Sequence, residues 1–216
     1  MYTPNHFNET NIETMLQLIQ AYPLGGLINV EQDGINANHI PFELLAPTED
    51  APFGTLRAHV ARANPVWKSS HSQLDALVIF QGPQAYITPS WYEEKKQTGK
   101  VVPTYNYAVV HARGRMRVMD NPQWLLQHLQ NLTDHQESRQ AAAWKLSDAP
   151  ADYIQKLLNA IVGIEIPVTA LHGKWKVSQN RTEQDHSNIA AGLRLRQDHS
   201  DSAMASLVEQ QNSIAA

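Results

Sequence analysis

The residues most able to do chemistry lie between Thr88 and His111, in the run TPSWYEEKKQTGKVVPTYNYAVVH. Trp91, Tyr92, Tyr105 and Tyr107 stand there among hydroxyls, an amide and lysines. Rings cover the faces of a planar ligand while hydrogen-bonding groups fix its edges, so the run suits a planar molecule that carries a phosphate. Upstream, GTLRAHVARANPVW spans Gly54 to Trp67; Arg57 and His59 alternate with apolar residues on a strand, and Arg62 and Asn64 follow it. They could line a cofactor groove, and a solvated strand face explains them equally well.

Two further patterns carry charge. His111, Arg113, Arg115 and Arg117 share a face by twofold alternation, and guanidinium groups offer forked donors to phosphate. A wet sheet face or a subunit contact is the preferred reading of that ladder. In GKWKVSQNR, Gly173 to Arg181, Lys174 and Lys176 flank Trp175. If the segment is extended, the lysines face an anionic ligand and the ring faces a core. A helix start at Ser178 to Arg181 remains equally open. His135, His186 and His199 have no convergent partner and read as surface residues.

What is absent narrows the chemistry. The chain has no cysteine, which removes thiolate catalysis, zinc–thiolate sites and iron–sulfur clusters. It has no glycine-rich dinucleotide loop, no phosphate loop ending in GK[ST], no H-E-x-x-H and no G-x-S-x-G. A net charge of −4 over 216 residues argues against a broad nucleic-acid footprint. No apolar segment has the length of a signal peptide or a membrane span, so the cytoplasm is expected.

The elements that must position these residues read as follows. Thr10 and Glu13 form a capping box before the stripe Ile12, Met15, Leu16 and Ile19, and Pro23 with Gly25-Gly26 closes that helix. Strands follow over Gly26–Glu31 and Ile35–Leu45 about a Gln32-Asp33-Gly34 turn. Gly54–Ala61 alternates, with Leu56, Ala58 and Val60 apolar. A hairpin is predicted over Leu74–Phe80 and Gln84–Thr88 about Gly82-Pro83, then one long strand over Thr104–Met119 bending at Gly114. Helices are predicted from Asn121-Pro122 and over Ala149–Ile161, a strand over Val162–Leu171, and polar helices from Arg181 anchored by Ile189, Leu193, Leu207 and Val208. Hairpin-ordered strands with helices outside them indicate a small antiparallel barrel in an α+β setting.

Five collinear segments resemble one family: MYTPNHF (Met1–Phe7), RAHVARANPVW (Arg57–Trp67), YITPSWYEEK (Tyr86–Lys95), VPTYNYAVVHARG (Val102–Gly114) and GKWKVSQN (Gly173–Asn180). It is the FMN-binding negative transcriptional regulator, or PaiB-like, family. The resemblance implies an antiparallel split β-barrel with peripheral helices, a homodimer, and FMN at or near the subunit boundary. It implies an FMN-binding domain over residues 1–180, with a helical insert about 121–160 and a helical appendage over 181–216. By position, the implied cofactor contacts are Arg57, His59, Arg62, Asn64, Tyr86, Ser90, Trp91, Tyr92, Thr104, Asn106, Tyr107, Lys174, Gln179 and Asn180. Tyr105 departs from the tryptophan common in the family and keeps an aromatic surface.

The family also implies gene repression. The best recognition-helix candidate, about Arg181–Gln197, mixes Arg194 and Arg196 with Glu183 and Asp185 and is flanked by Asp198, which does not favour direct DNA binding. Three functions compete: a dimeric redox- or flavin-linked regulator, an FMN-dependent oxidoreductase drawing on NAD(P)H, and, ranked last, a haem protein with His59, His111 or His172 as ligand. No acid or nucleophile stands out as obligatory.

Overall fold

The computed structural model describes residues 1–31, 34–71 and 74–214, with the side chains of 31, 69–71 and 211–214 left aside. The turn expected at Gln32-Asp33 lies outside the described residues. Ten strands and six helices are present among them. The strands make two sheets in the hydrogen-bonded orders β1-β10-β7-β6-β2-β3 and β4-β5-β9-β8. The chain divides into two compact units.

The first unit holds Met1–Ala21, Gln81–Val110 and His172–Ala216. Its elements are β1 (Asn8–Glu9), α1 (Ile12–Ala21), the later part of β6 (Ala76–Ile87) and a 3₁₀ turn at Pro89–Trp91. α2 (Glu94–Gln97), the first part of β7 (Thr104–Gly114), most of β10 (Ala170–Lys176), α5 (Glu183–Leu195) and α6 (His199–Ile214) complete it. Asn11, one residue later than the expected Thr10, caps α1 by accepting from the Thr14 amide at 3.2 Å; asparagine is the stronger N-cap. β1 pairs antiparallel with β10, Asn8 opposite Lys174. The apolar anchors of the last two helices, Ile189, Leu193 and Val208, are fully buried.

The second unit holds Tyr22–Phe80 and His111–Leu171. Here lie β2 (Leu24–Glu31), β3 (Gly34–Pro41), β4 (Glu43–Leu45), β5 (Thr55–Ala61), a 3₁₀ turn (Pro65–His71), β8 (Arg117–Met119), α3 (Pro122–Glu137), α4 (Ala151–Asn159) and β9 (Ile161–Pro167). β5 alternates as its sequence requires: Leu56, Ala58 and Val60 are buried and Arg57 and His59 only partly so. It pairs with β9 from Thr55↔Pro167 to Ala61↔Ile161. Asn121 caps α3 by accepting from the Gln123 and Trp124 amides at 2.9 and 3.1 Å.

Two local expectations are changed by the structure. Gly82-Pro83 makes no turn, because β6 runs unbroken from Ala76 to Ile87. A Cβ at Gly82 would sit 2.8 Å from Leu18 Cδ1, so the glycine serves a close approach of α1. Pro83 lies beyond the β2 ladder, whose last pair is Gly26↔Ile79. The strand expected over Thr104–Met119 ends at Gly114 and resumes as β8 at Arg117, which also interrupts the arginine ladder. Arg113, Arg115 and Arg117 are exposed, in keeping with the wet-face reading.

Candidate functional site

Strand alternation places Thr104 and Asn106 on one face of β7, and the β10 segment is extended, so Trp175 is buried while Lys174 and Lys176 point the other way. Within the first unit these groups meet in a cavity of about 130 Å³ lined by Phe7, Tyr92, Val102, Pro103, Thr104, Asn106, Lys176, Ser178, Asn180 and Arg181. The Lys176 ammonium donates to Thr104 Oγ1 and to the Tyr105 carbonyl. Burial pushes the Lys176 pKa down, and the charges of Lys174 and Arg181 push it further. Arg181 lies over the Tyr92 ring, 4.2 Å from its centre, and its nearest carboxylate is Glu94 at 3.8 Å.

Ser178 holds the wall in place at some strain. Its φ of 69° is in the left-handed region, a conformation that costs a non-glycine residue roughly 1 kcal/mol or more. The Asn106 amide donates to Ser178 Oγ at 2.8 Å, and the Ser178 carbonyl accepts from the Arg181 amide at 2.9 Å and from His186 Nε2 at 2.8 Å. His186 is therefore buried at the start of α5, contrary to the surface placement expected of it. Thr182 caps that helix, and the buried Asp185 accepts from the Glu93 amide at 2.9 Å, tying α5 to the Tyr92 turn.

Two residues lining this cavity carry a buried polar atom with no hydrogen-bond partner among the described residues, Tyr92 Oη and Asn106 Oδ1, although the Arg181 side chain also acts on the Tyr92 phenol. Burial raises the Tyr92 pKa, so the phenol keeps its proton and is a ready donor. Asn106 Oδ1 can only accept. A ligand with both oxygen acceptors and O–H or N–H donors satisfies the pair, and the cationic groups add a preference for an anion. The cavity is smaller than the roughly 300 Å³ of a pocket enclosing a whole ligand. It accommodates one end of such a molecule.

The other candidates of the first unit lie around the cavity without lining it. Tyr86 is exposed, packs edge-on to Tyr105 at 6.3 Å, and its carbonyl accepts from Arg196 at 2.9 Å. Ser90 Oγ accepts from Lys95 at 2.9 Å, and Trp91 carries Arg196 over its ring at 4.6 Å. Lys174 reaches the Tyr2 carbonyl at 3.2 Å and lies over Tyr107 at 5.3 Å. Gln179 staples its own loop, bonding the Val177 amide at 2.9 Å and the Trp175 carbonyl at 2.5 Å. Lys176 lines the cavity as the extended reading of its segment expects of a lysine facing an anion; Phe7, Ser178 and Arg181 line it too, and the sequence gives none of them a ligand role.

Arg57, His59, Arg62 and Asn64 belong to the second unit, and each has partners there. Arg57 bridges to Glu165 at 2.6 Å and lies over Trp124 at 5.4 Å. Arg62 grips Asp120 through both terminal nitrogens at 2.9 and 2.6 Å and donates to the Asn159 and Ile161 carbonyls. Asn64 donates to Asn38 at 2.8 Å and accepts from the Val66 amide at 3.0 Å. His59 Nδ1 is 3.2 Å from His128 Nε2, and His128 Nδ1 is 3.3 Å from Glu43 Oε2. His128 is 1% exposed and stacks on Trp124 with ring centres 5.2 Å apart. Burial holds its pKa at about 4, helped by the nearby Arg57 charge.

Comparison with known proteins gives these sites a context. A family model described as "Putative FMN-binding domain" matches residues 1–170. Protease synthase and sporulation protein PAI 2 of Bacillus subtilis is 30% identical, with 97% of each chain covered. An uncharacterised protein of Emericella nidulans is 34% identical over 89% of this chain and 90% of its own. Among solved structures, the FAD and haem binding protein of Mycobacterium smegmatis matches with TM-score 0.58 at 18% identity, over 86% of this chain and 80% of that one. The flavocytochrome Anf3 of Azotobacter vinelandii matches with TM-score 0.54 at 15% identity, over 84% and 75%. These likenesses show the antiparallel split-barrel fold of the α+β class. The chain thus belongs to the FMN-binding domain family, as a homologue of PAI 2, and its cofactor is FMN.

Proposed function

We propose that this chain is a homodimeric, flavin-linked regulator that anchors the phosphate end of FMN in the cavity walled by Thr104, Asn106, Lys176 and Arg181. The observation that carries the reading is the pairing of clustered cations with the two buried, partnerless atoms Tyr92 Oη and Asn106 Oδ1. Lys176 and Arg181 meet phosphate charge, Tyr92 donates to a phosphate oxygen, and Asn106 Oδ1 accepts from a hydroxyl of the chain that follows it. Bound FMN supplies reversible one- or two-electron chemistry, which the protein orients and tunes. Tyr86, Ser90, Trp91, Tyr107, Lys174, Gln179 and Asn180 remain candidates for the rest of the cofactor; Arg57, His59, Arg62 and Asn64 of the second unit are kept as cofactor candidates by the family resemblance alone.

Regulation through protease and sporulation genes is supported by the name of the PAI 2 relative. We place its mechanism in flavin state or a partner protein. Arg194 is paired with Glu209 at 2.6 Å and Arg196, just past α5, with Asp201 at 3.5 Å, so both arginines are engaged within their own unit. A flavin oxidoreductase using NAD(P)H is the second reading, and the Glu43–His128–His59 chain favours it because a carboxylate and two imidazoles in series can move a proton.

The test is the absorption spectrum of the protein as isolated, followed by release of its chromophore. Yellow protein that frees FMN on denaturation supports both readings, and rapid NAD(P)H oxidation then selects the enzyme. Colourless protein that refuses added FMN overturns both, and a haem-type band replaces them with a haem protein.

A further inference from the structure

We propose that Glu43, His128 and His59 form a one-proton relay that takes up and releases protons through His59 Nε2, with water as the exchange partner. This rests on the second unit alone and not on the placement of the flavin phosphate. β4 supplies the carboxylate, α3 the middle ring and β5 the outer ring.

The tautomers follow from the donor inventory. An ionised Glu43 only accepts, so His128 carries its proton on Nδ1 and presents a lone pair at Nε2. His59 must then donate from Nδ1, leaving the lone pair of its Nε2 free. His59 is partly exposed, so that lone pair can meet solvent.

A proton arriving at His59 Nε2 can pass inward without creating a buried cation. The His59 Nδ1 proton moves to His128 Nε2, and the His128 Nδ1 proton moves to Glu43 Oε2. Both rings end neutral in the opposite tautomer, and Glu43 ends as a neutral acid. The net charge of the three groups changes from −1 to zero, one proton gained and none lost.

The surroundings favour this route over imidazolium. Arg57 is the nearest fixed cation, and Glu165 compensates it at 2.6 Å while also accepting from Trp124 Nε1 at 3.2 Å. Burial lowers the pKa of His59, with His128 adding to the effect, and raises that of Glu43 against the pull of Arg57 and His135. Arg117, on β8, is exposed and stands opposite Glu165 in the ladder. The Trp124 ring fixes the plane of His128, so the ring cannot turn away from either partner without breaking the stack.

The experiment is a pH titration of the full-length protein with ¹⁵N-labelled histidine and a ¹³C-labelled glutamate carboxyl, with water as the proton source. One common midpoint is expected for Glu43 and for a joint switch of His59 and His128 from the Nδ1–H to the Nε2–H form, with both rings neutral. Glu43→Gln should abolish the switch and hold each ring in one tautomer. If that variant does not fold, His128→Phe should instead uncouple Glu43 from His59, whose tautomer then no longer follows the Glu43 midpoint. An imidazolium at either ring across the Glu43 midpoint overturns the relay, as does a Glu43 midpoint apart from the rings. Continued coupling in His128→Phe overturns it equally.

Discussion

His128 should make the stability of this protein fall on mild acidification. The ring is 1% exposed and its pKa in the folded chain is about 4, against 6.5 for the ordinary imidazole. A base whose pKa is depressed by folding binds more protons unfolded than folded between those two values. Stability therefore rises with pH across the window from about 4 to 6.5 and is lost as pH falls through it. The full difference, at 1.36 kcal/mol per pKa unit, is about 3 kcal/mol, and about 2 kcal/mol of it is lost between roughly pH 7 and pH 5. Urea unfolding at a series of pH values measures this directly. His128→Phe keeps a ring against Trp124 and removes the titration, so its stability should fall by about 2 kcal/mol less than the parent's over the same interval. Parallel pH profiles for the two proteins would refute the claim that His128 is held neutral by burial.

Three further substitutions probe the packing. Arg57→Met should cost roughly 1–3 kcal/mol in urea unfolding, because Glu165, only 13% exposed at its side chain, loses its ion pair. Val60→Ala should cost about 2 kcal/mol by removing two buried methyl groups from β5, 7% exposed at that point. Ser178→Ala removes the acceptor of the Asn106 amide and keeps the strained φ, so about 1–2 kcal/mol of stability should go with it, whereas Ser178→Gly should recover part of the loss by relieving the backbone.

Where local periodicity decides structure, the sequence was sufficient. The alternation of Leu56, Ala58 and Val60 against Arg57 and His59 emerges in β5 as written, and Asn121-Pro122 opens α3 where a cap and an N1 proline should. Thr104 and Asn106, which line the cavity from β7, were named by the family resemblance and not by their spacing. Other features depend on partners distant in the chain. Gly82-Pro83 carries a turn signal, but α1 packs Leu18 against that glycine and the strand runs on. Lys174 and Lys176 share a face, and only the pairing of Asn8 with Lys174 explains why Lys174 turns to Tyr2 while Lys176 lines the cavity. His186 follows a polar helix start and looks like a surface residue, yet the Ser178 carbonyl draws it inside. Nothing in a serine announces a positive φ, so the wall residue Ser178 had no signal of its own.

The placement of the FMN phosphate is tested most directly by titrating the apoprotein with FMN and with riboflavin, the same molecule without its phosphate. A charge-assisted contact is worth about 1.5–3 kcal/mol, or roughly 10- to 150-fold in affinity. FMN should therefore bind tighter than riboflavin by at least that factor, and Lys176→Met should weaken FMN alone and shrink the gap. Equal affinity for the two ligands, or a gap left intact by Lys176→Met, would contradict it.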